Sequence, residues 1–206
     1  MALEGKEMMK EIQALLIVDV QNDFCPGGQL PVPEGDKIVR VLNRYITHFI
    51  ARGLSILASR DWHPTQTAHF QQFGGPWPQH CVQGTLGAQF HPGLSLTDNA
   101  IIISKGMQPD QDSYSAFLGQ DSRGRALLDI LKDLQITELY IGGLATDFCV
   151  KHSVLDALAN GLKVKLLVDA IRGIDAQNIQ AAHKEMRAAG VEETNFSGVV
   201  NLLGQS

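Results

Sequence analysis

The sequence has few cysteines, no cluster of basic residues and no long apolar run. The three cysteines, Cys25, Cys81 and Cys149, cannot all pair, so they form no disulfide framework and they indicate a reducing compartment. The formal net charge is −5 without a basic block, which disfavours nucleic acid or an anionic membrane as a partner. No segment reaches the roughly 20 apolar residues of a membrane span, and residues 1–11 lack the apolar core of a secretory signal. We therefore expect a cytoplasmic protein.

Three common site motifs are also missing. The chain contains no G-x-G-x-x-G, no P-loop and no G-x-S-x-G, so dinucleotide, nucleoside-triphosphate and serine-hydrolase functions have no local support. A length of 206 residues suits one domain with a substantial core. We predict a single domain over 1–206, of which residues 1–12 are a frayed N-terminus.

Short apolar runs alternate with helical patterns along the chain. The apolar runs predict strands at 14–18, 54–58, 100–104, 139–141 and 163–169, with one short edge strand after residue 191. The 3.6-residue patterns predict helices at 36–51, 123–134 and 178–189, and another from about Val150 to Gly161. This alternation favours an α/β fold, in which a mostly parallel sheet of about six strands carries helices on both faces.

Reactive side chains follow four of the predicted strands. Asp19, Asp61, Lys105 and Cys149 each lie at or just beyond the C-terminal end of a strand. Right-handed crossovers place these ends along one edge of a parallel sheet, and ligands bind in the crevice outside that edge. We therefore expect the four side chains to surround one site.

Cys149 is a candidate nucleophile. It follows two glycines at a turn from a buried strand into a helix, where backbone N–H groups have no intrahelical partner and the helix dipole favours negative charge. Both effects favour a thiolate, and the same N–H groups could stabilise an oxyanion beside the sulfur. The alternative is a small buried apolar residue, which is the usual role of a free cysteine.

Asp19 and Lys105 are candidate partners of this cysteine. A thiol has a reference pKa of about 8.5, so efficient attack at neutral pH requires a nearby base or cation. Asp19 could accept the thiol proton, and Lys105 could hold that carboxylate and stabilise the thiolate. Alternatively, Asp19 caps a turn and Lys105 is a solvated charge at a strand end. A dyad of Cys149 with His152, one helical turn further on, is a minor alternative.

An irregular segment after Asp61 contains candidate metal ligands. Asp61 and His63 are two residues apart and point to one side of an extended segment. His80 can join them by loop closure, and His69 is either a fourth ligand or a neighbour that supports the ligands. A carboxylate with imidazoles suits zinc, iron or manganese. Cys81 can also bind metal, but adjacent ligands are awkward, so we leave it out.

The segments that carry these residues resemble the nicotinamidases of the isochorismatase-like cysteine hydrolase superfamily. The resemblance spans about 15–189, and Trp77 together with the Asp61, His63 and His80 set distinguishes nicotinamidases from the many superfamily members without that metal. The matching pieces, in order, are Val18-Asp19-Val20-Gln21-Asn22-Asp23-Phe24, Arg60-Asp61-Trp62-His63-Pro64, Trp77-Pro78-Gln79-His80-Cys81-Val82-Gln83-Gly84-Thr85, Lys105-Gly106 and Gly143-Leu144-Ala145-Thr146-Asp147-Phe148-Cys149-Val150.

The resemblance implies a three-layer α/β/α fold and a cysteine-dependent amidase. Nicotinamide would be hydrolysed to nicotinate and ammonia in NAD salvage, and pyrazinamide would also be deamidated. Cys149 would attack the amide carbon to form a thioester, while Asp19 would carry the proton to the leaving ammonia and then activate water. Backbone N–H groups of Ala145 and Cys149 would bind the oxyanion, with a cis peptide bond expected between Leu144 and Ala145.

The resemblance also implies how the substrate would be held. Phe24 and Trp77 would flank the pyridine ring, Tyr114 would close the pocket and Ala145 would contact the substrate. One divalent ion, zinc in the first place and iron or manganese otherwise, would be held by the Asp61, His63 and His80 set. Open positions on that ion would accept the ring nitrogen and water. The partner is then a small molecule, and a homo-oligomer is compatible with the sequence.

Two alternatives to a nicotinamidase stay open at this stage. The first is another amidohydrolase of the same superfamily, acting on a carbamoyl or ureido compound. The second is a catalytically silent domain that binds a metal or a partner. The presence of Asp19, Lys105 and Cys149 together argues against the second alternative.

Overall fold

The fold is known from a computed structural model that describes residues 11–111 and 113–204. The predicted frayed N-terminus lies, for residues 1–10, outside the described residues. Within them, the strands are β1 (Gln13–Val18), β2 (Ser55–Asp61), β3 (Ile101–Lys105), β4 (Glu138–Leu144), β5 (Lys163–Arg172) and β6 (Glu192–Thr194). The α-helices there are α1 (Lys37–Ile50), α2 (Leu127–Asp133), α3 (Lys151–Ala159), α4 (Ala176–Ala188) and α5 (Phe196–Leu203). A single π-helical turn, Thr146–Val150, leads directly into α3.

One parallel sheet with the strand order β3-β2-β1-β4-β5-β6 forms the middle of the molecule. Successive side chains of a strand point to opposite faces, and the two faces of β1 feed separate apolar clusters. Leu15 and Ile17 pack in the cluster that contains the buried residues of α1 and α5. Leu16 and Val18 pack in the cluster that contains those of α2, α3 and α4. The predicted α/β/α arrangement is therefore confirmed, and so is the six-stranded parallel sheet. No helix in the described part of the chain is long and apolar enough to cross a membrane.

Three strands are longer than predicted because partners in the sheet extend them. β4 was predicted at 139–141 and runs over Glu138–Leu144, since β1 and β5 pair with its further residues. β2 was expected to stop at residue 58, but Arg60 and Asp61 continue it by pairing with Ser104 and Lys105 of β3. β5 continues to Arg172 past an irregularity in its pairing with β4. The hydrophobic pattern of the sequence identifies only the apolar part of a strand. Polar residues that belong to the strand because a neighbouring strand pairs with them are not recognised from it.

The helices differ from prediction at two places. α2 begins at Leu127, because Asp121 Oδ1 accepts bonds from the N–H groups of Arg123 and Arg125 and holds that segment in a turn. α5 was not predicted. Its N-terminus is capped by the side chain of Asn195, which accepts a bond from the N–H of Gly198.

The order of the strands determines where the site forms. Crossovers run from β1 towards β3 on one side and from β4 towards β6 on the other, so the direction reverses between the adjacent strands β1 and β4. A crevice opens at such a reversal, outside the C-terminal ends of the strands. Asp19 directly follows β1, and the turn that carries Cys149 follows β4. The crevice therefore lies between these two candidate site residues.

Gly143 permits the close approach of β4 to β1 beside this crevice. Its φ is +133°, and a Cβ added there would lie 2.1 Å from the carbonyl oxygen of Val18. Any larger residue would therefore force the two central strands apart or strain the backbone.

We expect Gly143→Ala to destabilise the protein much more than Gly124→Ala. Gly124 also has a positive φ, +79°, but a Cβ there would meet nothing within 4 Å. Gly124→Ala should therefore cost only the backbone term of about 1–2 kcal/mol, whereas Gly143→Ala should add about 1–3 kcal/mol of steric strain. Urea unfolding of both variants measures the difference, and equal losses would contradict the close-approach argument.

Candidate active site

A buried lysine joins the groups at the crevice. Lys105 Nζ lies 2.8 Å from Asp19 Oδ2 and 3.4 Å from Cys149 Sγ, and it forms an ion pair with Asp61 Oδ1. Lys105 Nζ also donates to the carbonyl oxygen of Ser113, at 3.1 Å. The four side chains that were predicted to surround one site are thus together, and all four are buried.

The charges in this group shift one another's pKa values. Burial opposes the charge on Lys105, but the carboxylates of Asp19 and Asp61 outweigh it and raise the pKa of Lys105 well above its usual value. Burial also disfavours ionised Asp61, yet Lys105 together with the neighbouring His63 and His80 lowers the pKa of Asp61 well below its usual value. Burial raises the pKa of Asp19, and Lys105 offsets part of that rise. Asp19 is therefore the better proton acceptor of the two carboxylates.

Burial works against the thiolate that the unpaired N–H groups of the helix start favour. It raises the pKa of Cys149 well above its ordinary value, and the carboxylates of Asp19 and Asp61 add to that rise against the opposing effect of Lys105. Desolvation of a buried thiolate depends on tertiary packing, which a local sequence pattern does not reveal. Attack by the sulfur then needs a base to take its proton, and the Asp19 carboxylate lies beside it.

Ser59 is a contact of the candidate base that sequence reasoning missed. Its Oγ donates a 2.7 Å hydrogen bond to Asp19 Oδ1, and its carbonyl oxygen accepts from the Asp19 N–H at 3.1 Å. The bond occupies one carboxylate oxygen and leaves Oδ2 facing Lys105. Ser59 lies in the middle of an apolar-looking strand, 40 residues from Asp19, so no local pattern pointed to it.

The three predicted histidines of the metal set form a cluster beside Asp61. One nitrogen from each of His63, His69 and His80 lies within 4.8 Å of the others. Asp61 Oδ2 lies 3.6 Å from His63 Nε2 and 3.8 Å from His80 Nε2. His69 stacks on His63 with 4.6 Å between ring centroids, so the structure brings the candidate fourth ligand to the same place.

The tautomers of two histidines suit a metal. His63 Nδ1 lies 3.0 Å from the carbonyl oxygen of Gly106, and His80 Nδ1 lies 2.7 Å from that of Pro78. A carbonyl only accepts, so each Nδ1 carries the proton and each Nε2 presents a lone pair towards Asp61. His63 Nε2 is buried without a hydrogen-bond partner. Two imidazole nitrogens and a carboxylate oxygen are a donor set that zinc accepts.

A pocket opens directly above these groups. It encloses about 360 Å³ of empty space, part of which is open to solvent. Every residue predicted to contact substrate lines it, namely Phe24, Trp77, Tyr114 and Ala145, together with Cys149, Asp61, His69 and His80. The peptide bond between Leu144 and Ala145 is cis, as expected.

Aromatic contacts hold the walls of this pocket. Trp77 Nε1 donates a 2.8 Å hydrogen bond to Tyr114 Oη, and the Trp77 ring meets Phe148 edge-on at 5.0 Å. Tyr114 also stacks on His152, at 5.4 Å between centroids. These contacts give flat, rigid walls around a narrow space, which suits a planar ring.

Four apolar residues of the pocket were not predicted, namely Leu30, Val32, Phe148 and Ile174. Phe148 directly precedes Cys149, so its position in the motif could have indicated a role. Ile174 is held there by Asp147, whose carboxylate accepts bonds from the N–H groups of Ile174 and Asp175.

Comparison with known proteins agrees with this geometry. The model of the isochorismatase domain matches residues 13–195, which is most of the chain. The chain belongs to the isochorismatase family. In this family, a nicotinamidase from Escherichia coli is 47% identical over 196 residues, covering 86% of this chain and 92% of that protein. A nicotinamidase/pyrazinamidase from Mycobacterium tuberculosis is 40% identical over 184 residues, covering 88% and 97%.

A solved member of the isochorismatase family has the same fold. The pyrazinamidase of Pyrococcus horikoshii, determined in complex with zinc, superimposes with a TM-score of 0.84 at 46% identity. The match covers 89% of this chain and 99% of that protein.

The raised pKa of Cys149 predicts slow alkylation at neutral pH. In metal-free protein, the rate of iodoacetamide labelling at Cys149 should keep rising through pH 9, because the thiolate fraction grows only as the pH approaches the raised pKa. The labelling rate of a free thiol would level off above the thiol's pKa of about 8.5. Mass spectrometry of the Cys149 peptide measures the rate, with Cys149→Ser as the unlabelled control. A rate that levels off below pH 8 would show that Lys105 outweighs burial and the two carboxylates.

Proposed function

We propose that this protein is a nicotinamidase, which hydrolyses nicotinamide to nicotinate and ammonia in the cytoplasm and also deamidates pyrazinamide. One observation carries the proposal: Cys149, which Lys105 joins to Asp19, lines an aromatic pocket together with His69 and His80 of the histidine cluster. The nicotinamidase and pyrazinamidase relatives support the same substrate class.

The first half of the proposed reaction forms a thioester. Asp19 takes the proton of the Cys149 thiol while the sulfur attacks the amide carbon, so a C–S bond forms and the carbonyl oxygen becomes an oxyanion. The backbone N–H groups of Ala145 and Cys149 would receive that oxyanion. Asp19 then gives its proton to the amide nitrogen, the C–N bond breaks and ammonia leaves.

The second half consumes water. Asp19, ionised again, removes a proton from a water molecule whose oxygen attacks the thioester carbon. The C–S bond breaks, the proton returns to the sulfur and nicotinate leaves. Lys105 remains charged throughout, because its two carboxylate partners keep its pKa high. It compensates the negative charge that moves between Asp19 and Cys149 during both halves.

A divalent ion fits the residues on the opposite side of Asp61. We propose that Asp61, His63 and His80 hold it, with His69 as a fourth ligand, and that the ion is zinc, with iron or manganese as alternatives. When bound, such an ion supplies a Lewis-acid contact to the pyridine nitrogen, away from the scissile amide. The walls from Phe24, Trp77 and Phe148 restrict the ring to one plane.

A carbamoyl or ureido substrate fits the pocket less well. A carbamoyl or ureido compound without an aromatic ring would leave the aromatic lining of the pocket and its histidines without a partner in the substrate. A silent binding domain would have no need for a buried lysine between a carboxylate and a thiol. Ammonia release from nicotinamide by purified protein of known metal content tests the proposal directly.

We expect Cys149→Ala to abolish ammonia release while the protein remains folded, because no other group can form the thioester. Cys149→Ser should be severely impaired, since a hydroxyl has a far higher pKa than a thiol and Asp19 cannot activate it efficiently. Cys25→Ala is the matched control and should retain substantial activity, because Cys25 lies outside the residues that line the pocket. Turnover by folded Cys149→Ala at the wild-type rate would exclude a cysteine nucleophile.

Metal removal should lower activity on nicotinamide much more than on benzamide. An ion that grips the ring nitrogen improves orientation only for a ring that has this atom. Chelation, or His63→Ala, should therefore sharply reduce kcat/KM for nicotinamide, while benzamide starts poor and changes little. The measurement is the ratio of the two kcat/KM values with and without metal, with circular dichroism to check folding. An unchanged ratio would mean that the ion, if any, does not orient the ring.

A further inference from the structure

Gln21 has a buried side-chain amide that bonds to backbone atoms of two other segments. It is fully buried two residues beyond Asp19. Its Oε1 accepts a 2.8 Å bond from the N–H of Asp61, and its Nε2 donates to the carbonyl oxygen of Asp61, also at 2.8 Å. The same Nε2 donates to the carbonyl oxygen of Ala88 at 2.9 Å. The side chain of Gln21 thus hydrogen-bonds both the N–H and the C=O group of Asp61, and this pair of bonds is called the grip on Asp61 below.

That residue faces both halves of the site. Asp61 Oδ1 pairs with Lys105, and Asp61 Oδ2 faces Nε2 of His63 and His80 at 3.6 and 3.8 Å. If the backbone of Asp61 turned, its Cα–Cβ bond would point in another direction. The two carboxylate oxygens would then move away from Lys105 and from the two histidines at once. The backbone of Asp61 must therefore be held firmly for one carboxylate to serve both.

The sheet holds Asp61 on only one side. β3 pairs with it through Lys105, but β1 pairs with β2 only as far as Ser59. After Val18 the chain turns away, and Asp19 has a φ of +49°. Without another partner, the backbone N–H and C=O groups of Asp61 that face β1 would be buried with no hydrogen bond, which costs free energy. The amide of Gln21 replaces the missing strand by offering one acceptor and one donor at the required positions.

We propose that Gln21 is a positioning residue for Asp61, which it holds so that one carboxylate can serve Lys105 and the metal ligands together. The inference rests on the proposed function for the identity of the metal site. Only a side chain with a donor and an acceptor at one end can make this grip, and glutamine has both. A carboxylate in its place would face the carbonyl oxygens of Asp61 and Ala88 without a proton to donate.

The test is the zinc affinity of metal-free protein, measured by competition with a chromophoric chelator. Gln21→Met keeps the volume of the side chain and removes all three bonds, so we expect about a 10- to 100-fold weaker affinity for Zn²⁺, the usual effect of losing a group that orients a ligand. The matched control is Gln83→Met. Gln83 Nε2 donates to the carbonyl oxygen of Trp62 at 2.9 Å, one residue beyond Asp61, and this variant should bind Zn²⁺ within about twofold of the wild type.

A merely structural role would lower the stability of Gln21→Met without changing the zinc affinity of the folded protein, and that result would overturn the inference. Gln21→Glu is the second variant, because it keeps the acceptor for the Asp61 N–H but places a carboxylate oxygen against two carbonyl oxygens. An affinity as low as that of Gln21→Met, or lower, is expected. Loss of cooperative unfolding in both variants would also overturn the inference, since the amide would then serve folding itself. Failure of the proposed function is distinguishable, because wild-type protein would then bind no Zn²⁺ or release no ammonia from nicotinamide.

Discussion

The site depends on one charge, the ammonium of Lys105, which is buried between two carboxylates. A charge removed from water is costly unless it is paired, and each of the three groups would be unstable in this place without the others. Lys105 contacts Asp19 on one side and Asp61 on the other, and it lies 3.4 Å from the Cys149 sulfur. Lys105 therefore links Cys149, Asp19 and the histidine cluster beside Asp61 into one electrostatic unit. They are not separate neighbouring sites.

Ion pairing also explains why the two carboxylates have different tasks. Asp61 pairs with Lys105 and faces His63 and His80, so its pKa is lowered and the ionised form that a metal ligand needs is favoured. Burial disfavours the ionised form of Asp19 and raises its pKa, and the single hydrogen bond from Ser59 does not cancel that effect. Asp19 can therefore take up a proton. Two identical functional groups on adjacent strands thus differ in proton affinity because their surroundings differ, which is a common feature of catalytic sites.

The candidate residues could be predicted from the sequence because strand ends in a parallel sheet converge. Apolar runs located the strands, and Asp19, Asp61, Lys105 and Cys149 follow four of them. The resemblance added the pocket residues Phe24, Trp77 and Tyr114. Sequence could not show that Lys105 bridges two carboxylates, that Ser59 bonds Asp19, or that Gln21 grips Asp61, since each contact joins residues about 40 positions or more apart. Sequence also could not show how far burial opposes the Cys149 thiolate, because desolvation depends on tertiary packing that no local pattern reveals.

The reversal of strand order between β1 and β4 has a consequence for how the protein acquires activity. Asp19 follows β1 and Cys149 lies beyond β4, and these adjacent strands are separated by more than 100 residues of chain. Bringing such distant segments together costs the entropy of closing a long loop. Neither half of the chain holds both side chains, so the complete constellation exists only when the two halves of the sheet have joined.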